Sequence, residues 1–119
     1  MIPGLEQYEC LFHPEIIGEG ASAARLNTYD QLLYEILAEP FTIEDVCRII
    51  YAHDFEDSED GMVGVFELYD GRFIRITYSP GYTFDSHSCE GALSEEDIIR
   101  YGMTKEERER AGFILDELD

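Results

Sequence analysis

Residues 62–79, MVGVFELYDGRFIRITYS, decide the fold, because they are two alternating apolar/polar runs meeting at Asp70-Gly71. Successive side chains of a strand point to opposite faces, so each run reads as a half-buried strand. The Asp-Gly pair tolerates the positive φ that a two-residue type I′ hairpin turn demands at both positions. That turn pairs Tyr69 with Arg72. It predicts a core face of Val63, Val65, Ile74, Ile76 and Tyr78, and places Phe66 opposite Arg75 on the other face, in reach of a cation–π contact. A slip of one residue would carry Arg75 to the buried side, which is the expected reason for the register to hold.

Upstream, Thr42 is placed to cap a helical turn with Glu44 and Asp45 in its first positions, where the helix dipole favours acids. Ile43, Val46, Cys47, Ile50 and Tyr51 then fall on a helical stripe, yet Cys47 to His53 is also rich in β-formers. One helical turn followed by a strand is the preferred reading. Further back, Thr28 with Gln31 forms a capping box, and Tyr29, Leu32, Leu33, Ile36 and Leu37 recur at helical spacing until Pro40 ends the run. Residues 1–27 mix strand-like and loop-like signals and are left open.

Downstream, residues 80–93 read as a loop rich in Gly, Ser and aromatics. Ser94 caps a helix that opens with Glu95, Glu96 and Asp97 and begins its buried side at Ile98 and Ile99. Thr104 to Glu107 is a second capping box, Gly112 stops that short helix, and the tail 113–119 is expected to dock by Phe113 and Leu115. Together these elements predict one α+β domain over residues 1–119, with a small antiparallel sheet built on the hairpin at about 62–79 and packed against three or more short helices.

Charge narrows the function classes. The 119 residues carry 27 acids against 8 bases, formally −19, with 45% hydrophobic and 13% aromatic residues. A core is affordable, and a net charge of magnitude roughly 2–8 would suffice for solubility. The excess costs stability through self-repulsion. It suits either a high-salt setting, where the Debye length falls to about 3 Å at 1 M, or a cationic partner. One Lys and seven dispersed Arg exclude direct binding to nucleic acid or anionic membranes. No apolar run approaches the length of a membrane span, and MIPGLEQYEC lacks the regions of a signal peptide, so a cytoplasmic location is expected. Cys10, Cys47 and Cys89 are odd in number and widely spaced, which fits buried thiols in a reducing compartment.

The densest acidic feature is Asp54, Glu56, Asp57, Glu59 and Asp60, five carboxylates within seven residues. No register supplies both the sixth-position Gly and the twelfth-position Glu of an EF-hand. The segment is either a solvated hairpin loop or a docking surface for a basic groove. Residues 1–60 hold fourteen acids and two arginines, net −12, against −7 for residues 61–119. Glu44, Asp45, Asp54, Glu56, Asp57, Glu59 and Asp60 are therefore the candidate partner-binding residues. Their carboxylates can stand in for the phosphates that Lys and Arg of a DNA-gripping protein are placed to meet.

Rival chemistry is sparser. Cys10, His13, His87 and Cys89 could supply the two thiolates and two imidazoles of a zinc site, though neither half has strong paired-Cys spacing. Cys89 beside His87 is a poor nucleophile–base pair, because residues two apart in a loop seldom face one another. No cofactor and no catalytic residue are expected.

TIEDVCRIIY at 42–51, GVFELYDGRFIRITY at 64–78, GYTFDSHSCEGA at 81–92 and IIRYGMTKEERERAGF at 98–113 resemble small acidic proteins encoded by phages and phage-rich bacterial genomes. Ser86 to Glu90 departs from the Gly-rich, Trp-containing loop of that group, and this chain has no Trp. The resemblance implies a phage or prophage setting, in which acidic single-domain proteins inhibit host defences such as CRISPR effectors or restriction nucleases. The expectation is an anti-CRISPR or anti-restriction DNA mimic whose partner is a basic nucleic-acid-binding protein. An immunity protein neutralising a basic nuclease toxin, or a halophile's generally acidic domain, are the alternatives.

Overall fold

The computed structural model describes residues 2–12, 36, 39–54, 61–79 and 86–113. Among these residues the architecture is α+β, a four-stranded antiparallel sheet in sequential order, β1 Val46–His53, β2 Met62–Leu68, β3 Phe73–Ser79 and β4 Ser86–Ala92. Short 3-10 helices at Glu6–Leu11 and Ile43–Asp45 precede it. It is followed by α1, Glu95–Asp97, which widens into a π turn over Ile98–Gly102, and by α2, Lys105–Ala111. The expected helix over 28–37 lies outside the described residues apart from Ile36, which is 42% exposed. The tail beyond Phe113 also lies outside them.

The hairpin register differs from the type I′ expectation by one residue. Leu68, not Tyr69, pairs across the turn: its N–H donates to the Arg72 carbonyl at 2.8 Å, and the Gly71 N–H donates to the Leu68 carbonyl at 3.1 Å. Three residues, Tyr69, Asp70 and Gly71, therefore make the loop, with Gly71 at φ +95° supplying the left-handed position such a loop needs. Asp70 fixes the turn through its side chain, which accepts from the Arg72 N–H at 3.1 Å and the Arg72 Nε at 2.9 Å.

This shift exchanges the faces of β2 relative to β3. Phe66 stands opposite Ile74 and Val65 opposite Arg75, so the expected core face of Val63 and Val65 with Ile74, Ile76 and Tyr78 does not exist. Instead the sheet buries side chains on both sides. Met62, Phe66, Leu68, Ile74, Ile76 and Cys89 meet Leu5, Leu11, Phe12 and Phe41 on the first face. Val65 and Ala92 meet Ile98, Ile99 and Met103 on the second. The Phe66 ring lies back over Gly64, where an added Cβ would come within 2.3 Å of it, and packs at 5.4 Å between centroids on Phe12.

Arg75 consequently faces the helical side with only 13% of its side chain exposed. Its cation–π contact with Phe66 is ruled out by the register; a carboxylate takes that role. Glu107 of α2 meets it with both oxygens, at 3.1 Å to Nε and 2.7 Å to Nη2. Glu107 also closes the predicted capping box, accepting from the Thr104 N–H at 3.0 Å while its own N–H donates to Thr104 Oγ1 at 3.1 Å. One side chain thus starts α2 and ties it to the sheet. At the other end of α2, Gly112 takes φ +83°, and the Phe113 N–H reaches the Arg108 carbonyl at 2.9 Å, a Schellman closure. Arg108 is buried and donates to the carbonyls of Arg100 and Met103 at 3.2 and 3.0 Å, satisfying the end of the preceding helix.

β1 follows the 3-10 turn as expected, with the Thr42 N–H donating to the Asp45 carboxylate at 2.8 Å. Its pairing with β2 shifts register twice, between Val46 and Arg48 and between Ile49 and Tyr51. Residues 86–92, expected as loop, form β4 instead. Its polar side chains find partners across β3, including Thr77 with Ser88 and Arg75 opposite Glu90.

Two outcomes test this packing. Gly64→Ala should lower stability by about 1–3 kcal/mol through overpacking against Phe66, whereas Gly71→Ala, with open space around it, should lose only the roughly 1–2 kcal/mol of left-handed strain; urea unfolding midpoints distinguish them. Glu107→Gln should cost about 3 kcal/mol by stranding the buried Arg75 charge. Adding Arg75→Met should recover much of that loss in a double-mutant cycle.

Candidate functional site

The candidate carboxylates occupy two ends of the sheet. Glu44 and Asp45 precede β1 and Asp54 follows it, and eight residues of strand at about 3.3 Å each put roughly 25 Å between the groups. Glu56, Asp57, Glu59 and Asp60 lie outside the described residues. The candidate set is thus not one contiguous cluster. At the Glu44 end, the hairpin tip closes on the 3-10 turn, since the Tyr69 N–H donates to the Asp45 carbonyl at 2.9 Å. This brings in Asp70, which the sequence reading did not include, beside a Tyr69 that is 72% exposed. Arg72, buried at this end, lies 5.6 Å over the Phe41 ring and donates to the Glu39 carbonyl.

Every described arginine has a partner inside the chain. Arg48 bridges Glu67 and Glu95, Arg72 meets Asp70, Arg75 meets Glu107, Arg100 meets Glu96, Arg110 meets Glu106, and Arg108 is spent on backbone carbonyls. Burial would raise the Asp70 carboxyl, but the hydrogen bonds and charge of Arg72 outweigh it and hold it below the ordinary aspartate value. The acidic excess is therefore left facing outward at Glu6, Glu9, Glu39, Glu44, Asp45, Asp97 and Glu109, all exposed.

The thiol and imidazole groups proposed for zinc do not form a site among the described residues, where no three of His, Cys, Asp or Glu gather around one point. Cys89 is fully buried in the first core cluster, and burial pushes its thiol up to about 12, so it is neither a nucleophile nor an accessible ligand. His87 does approach the Cys10 segment, with its Nε2 at 3.4 Å from the Cys10 carbonyl and its ring 4.5 Å from Tyr78. The Cys10 thiol turns instead to the Met62 sulfur at 3.4 Å. His13 lies outside the described residues.

A cleft of about 550 Å³ opens between the helical face of the sheet and the start of α2, lined among others by Tyr51, His53, Thr77, Thr104, Glu106 and Arg110. Sequence reading missed it because its walls come from four separated segments. Within it, Arg110 Nη1 lies 3.1 and 3.4 Å from the two ring nitrogens of His53, and the His53 ring is parallel to that of Tyr51 within 8°.

Comparison with protein-family models, with curated proteins and with solved structures finds no match to this chain. No helix among the described residues is long and apolar enough to cross a membrane.

Glu90, facing Arg75 from β4, is held above its ordinary 4.5 chiefly by burial, with Glu107 acting the same way and Arg75 opposing. A raised folded-state value means that the native chain binds this proton more tightly than the unfolded chain. The contribution is complete below about pH 4.5 and is lost as pH rises through the folded-state value. Glu90→Gln should therefore raise the Tm near neutral pH, and the difference should vanish below about pH 4; thermal melts across a pH series check the sign.

Proposed function

We propose that this chain is an acidic binding module that docks into the basic, nucleic-acid-binding groove of a partner protein such as a CRISPR effector or restriction nuclease, acting as a DNA mimic. The observation that supports the reading is the division of charge. Each described arginine is paired with a carboxylate or carbonyl of the chain itself, while Glu6, Glu9, Glu39, Glu44, Asp45, Asp97 and Glu109 are exposed on a chain with net charge −19. Among the described residues, the cations at the Glu39, Glu44, Asp45 and Asp70 end of the sheet are already engaged, Arg72 with Asp70 and Arg48 with Glu67 and Glu95, so a groove built for phosphates would meet an excess of carboxylate there. Tyr69, exposed there, offers the kind of aromatic anchor that interface centres favour. The roles of Asp45 and Asp70 in holding the two turns keep their carboxylates at fixed positions, which favours a preorganised acidic surface over a merely solvated one.

A pull-down of the tagged chain against CRISPR effectors, restriction nucleases and a basic nuclease toxin, run across a salt series with competing DNA, tests the reading. A captured nuclease that salt releases and DNA displaces is the expected result. Glu44→Lys combined with Glu56→Lys and Asp57→Lys should then weaken capture about tenfold or more while leaving the far-UV circular dichroism unchanged. Capture that DNA cannot displace would overturn the mimic reading, and capture of the toxin alone would identify an immunity protein.

A further inference from the structure

We propose that the cleft between the sheet and α2 receives an arginine side chain of the protein partner, an inference that rests on the reading of the chain as a binder of a basic protein. The electrostatics select a cation. Arg75, at the back of the cleft, is satisfied by both oxygens of Glu107 and has Glu90 on its other side at 3.9 Å, so it has little attraction left for an anion. Arg110 is likewise paired, at 3.0 Å from Glu106. An anion entering would also meet the field of a chain with net charge −19.

The walls suit a cation with several N–H donors, and the chain itself supplies the example. Arg110 Nη1 approaches both nitrogens of the His53 ring at similar distances, 3.1 and 3.4 Å. That aims one N–H group of the guanidinium between the two ring nitrogens. Glu106 holds the same guanidinium by its Nη2 at 3.0 Å, and the Tyr51 ring lies parallel to that of His53 with its centroid 6.4 Å away. His53 and Glu106 therefore form a receptor for a guanidinium, occupied from within by Arg110. The occupant is exchangeable, because its side chain is 48% exposed and that of Glu106 73% exposed, and surface pairs of this kind contribute little. The cleft's volume of about 550 Å³ leaves room beyond that one side chain. A partner's arginine can enter beside Arg110 or replace it on Glu106. Lysine, with a compact and strongly hydrated charge and no planar fork of donors, is less suited to meet His53 and Glu106 together.

The test is an NMR titration of the ¹⁵N-labelled full chain with N-acetyl-arginine amide, N-acetyl-lysine amide and inorganic phosphate. Saturable shifts confined to Tyr51, His53, Thr104 and Glu106 are expected with the arginine compound and should be several-fold weaker with the lysine compound. Glu106→Gln should weaken the arginine response several-fold, and Arg110→Gln, which removes the internal occupant from an exposed helical position, should strengthen it several-fold. Shifts spread evenly over the acidic surface, saturation by phosphate in place of arginine, or a weaker arginine response in Arg110→Gln would each overturn the proposal. The two readings fail separately. A nuclease captured equally well by Glu106→Gln and Arg110→Gln leaves the acidic docking intact and removes the cleft from it, whereas an arginine-selective cleft in a chain that captures no basic protein removes the mimic reading.

Discussion

The three-residue turn at Tyr69-Asp70-Gly71 is the constraint on which the rest of the structure depends. By pairing Leu68 with Arg72, it sends Phe66, Ile74 and Ile76 to one face and Val65 and Arg75 to the other. A sheet patterned in that way cannot leave either face to water, because each carries side chains that need cover. The N-terminal segment supplies Leu5, Leu11 and Phe12 for one face, and the helices after β4 supply Ile98, Ile99 and Met103 for the other. Arg75 is the polar consequence of the same register, and Glu107 is its answer. A charge drawn to the helical side must be paired there, and the residue that pairs it is the one that closes the capping box of α2.

Charge is organised by the same economy. With few bases in the chain, each described arginine is paired within it, several of them joining elements far apart in sequence, as Arg48 joins Glu67 and Glu95 and Arg75 joins Glu107. These contacts answer the charge of the arginines as they hold the fold together, and the self-repulsion of the excess carboxylates is the cost. A protein selected only to fold would be expected to interleave the two signs over its surface. The proposed docking on a basic groove gives that cost a use, and the guanidinium lodged between His53 and Glu106 indicates how a partner's arginine would be held.

The distribution of the acids also shapes what such docking can look like. Glu44, Asp45 and Asp70 sit at one end of the sheet and Asp54 at the other, separated by the length of β1. A partner engaging both would have to follow the sheet edge, while a partner engaging one would meet either the exposed Tyr69 or the cleft beside His53. The buried Cys89 thiol keeps its proton.

What the sequence by itself determined is local. Thr104 with Glu107, Ser94 before three acids, Gly112 at a left-handed stop and Thr42 before a 3-10 turn were legible because caps and stops depend on residues within a turn of one another. The α+β class and the existence of the hairpin were legible from alternation, and the outward negative charge from composition. The tertiary structure decided the rest. A three-residue loop and a two-residue loop share the same Asp-Gly signal, and only the packing of Phe66 over Gly64 and the pairing of Arg75 with Glu107 separate registers one residue apart. In β1 two register shifts put Val46 and Ile49 on one face and Arg48 and Tyr51 on the other, a spacing of three that imitates a helix, so its ambiguity had a structural cause. β4 reads as loop because its polar residues find their partners on segments distant in sequence, Ser88 on Thr77 and His87 on the Cys10 carbonyl. The split of the acidic residues between two ends, and the cleft built from four segments, follow from distances through space, which are set by long-range pairing and leave no periodic trace along the chain.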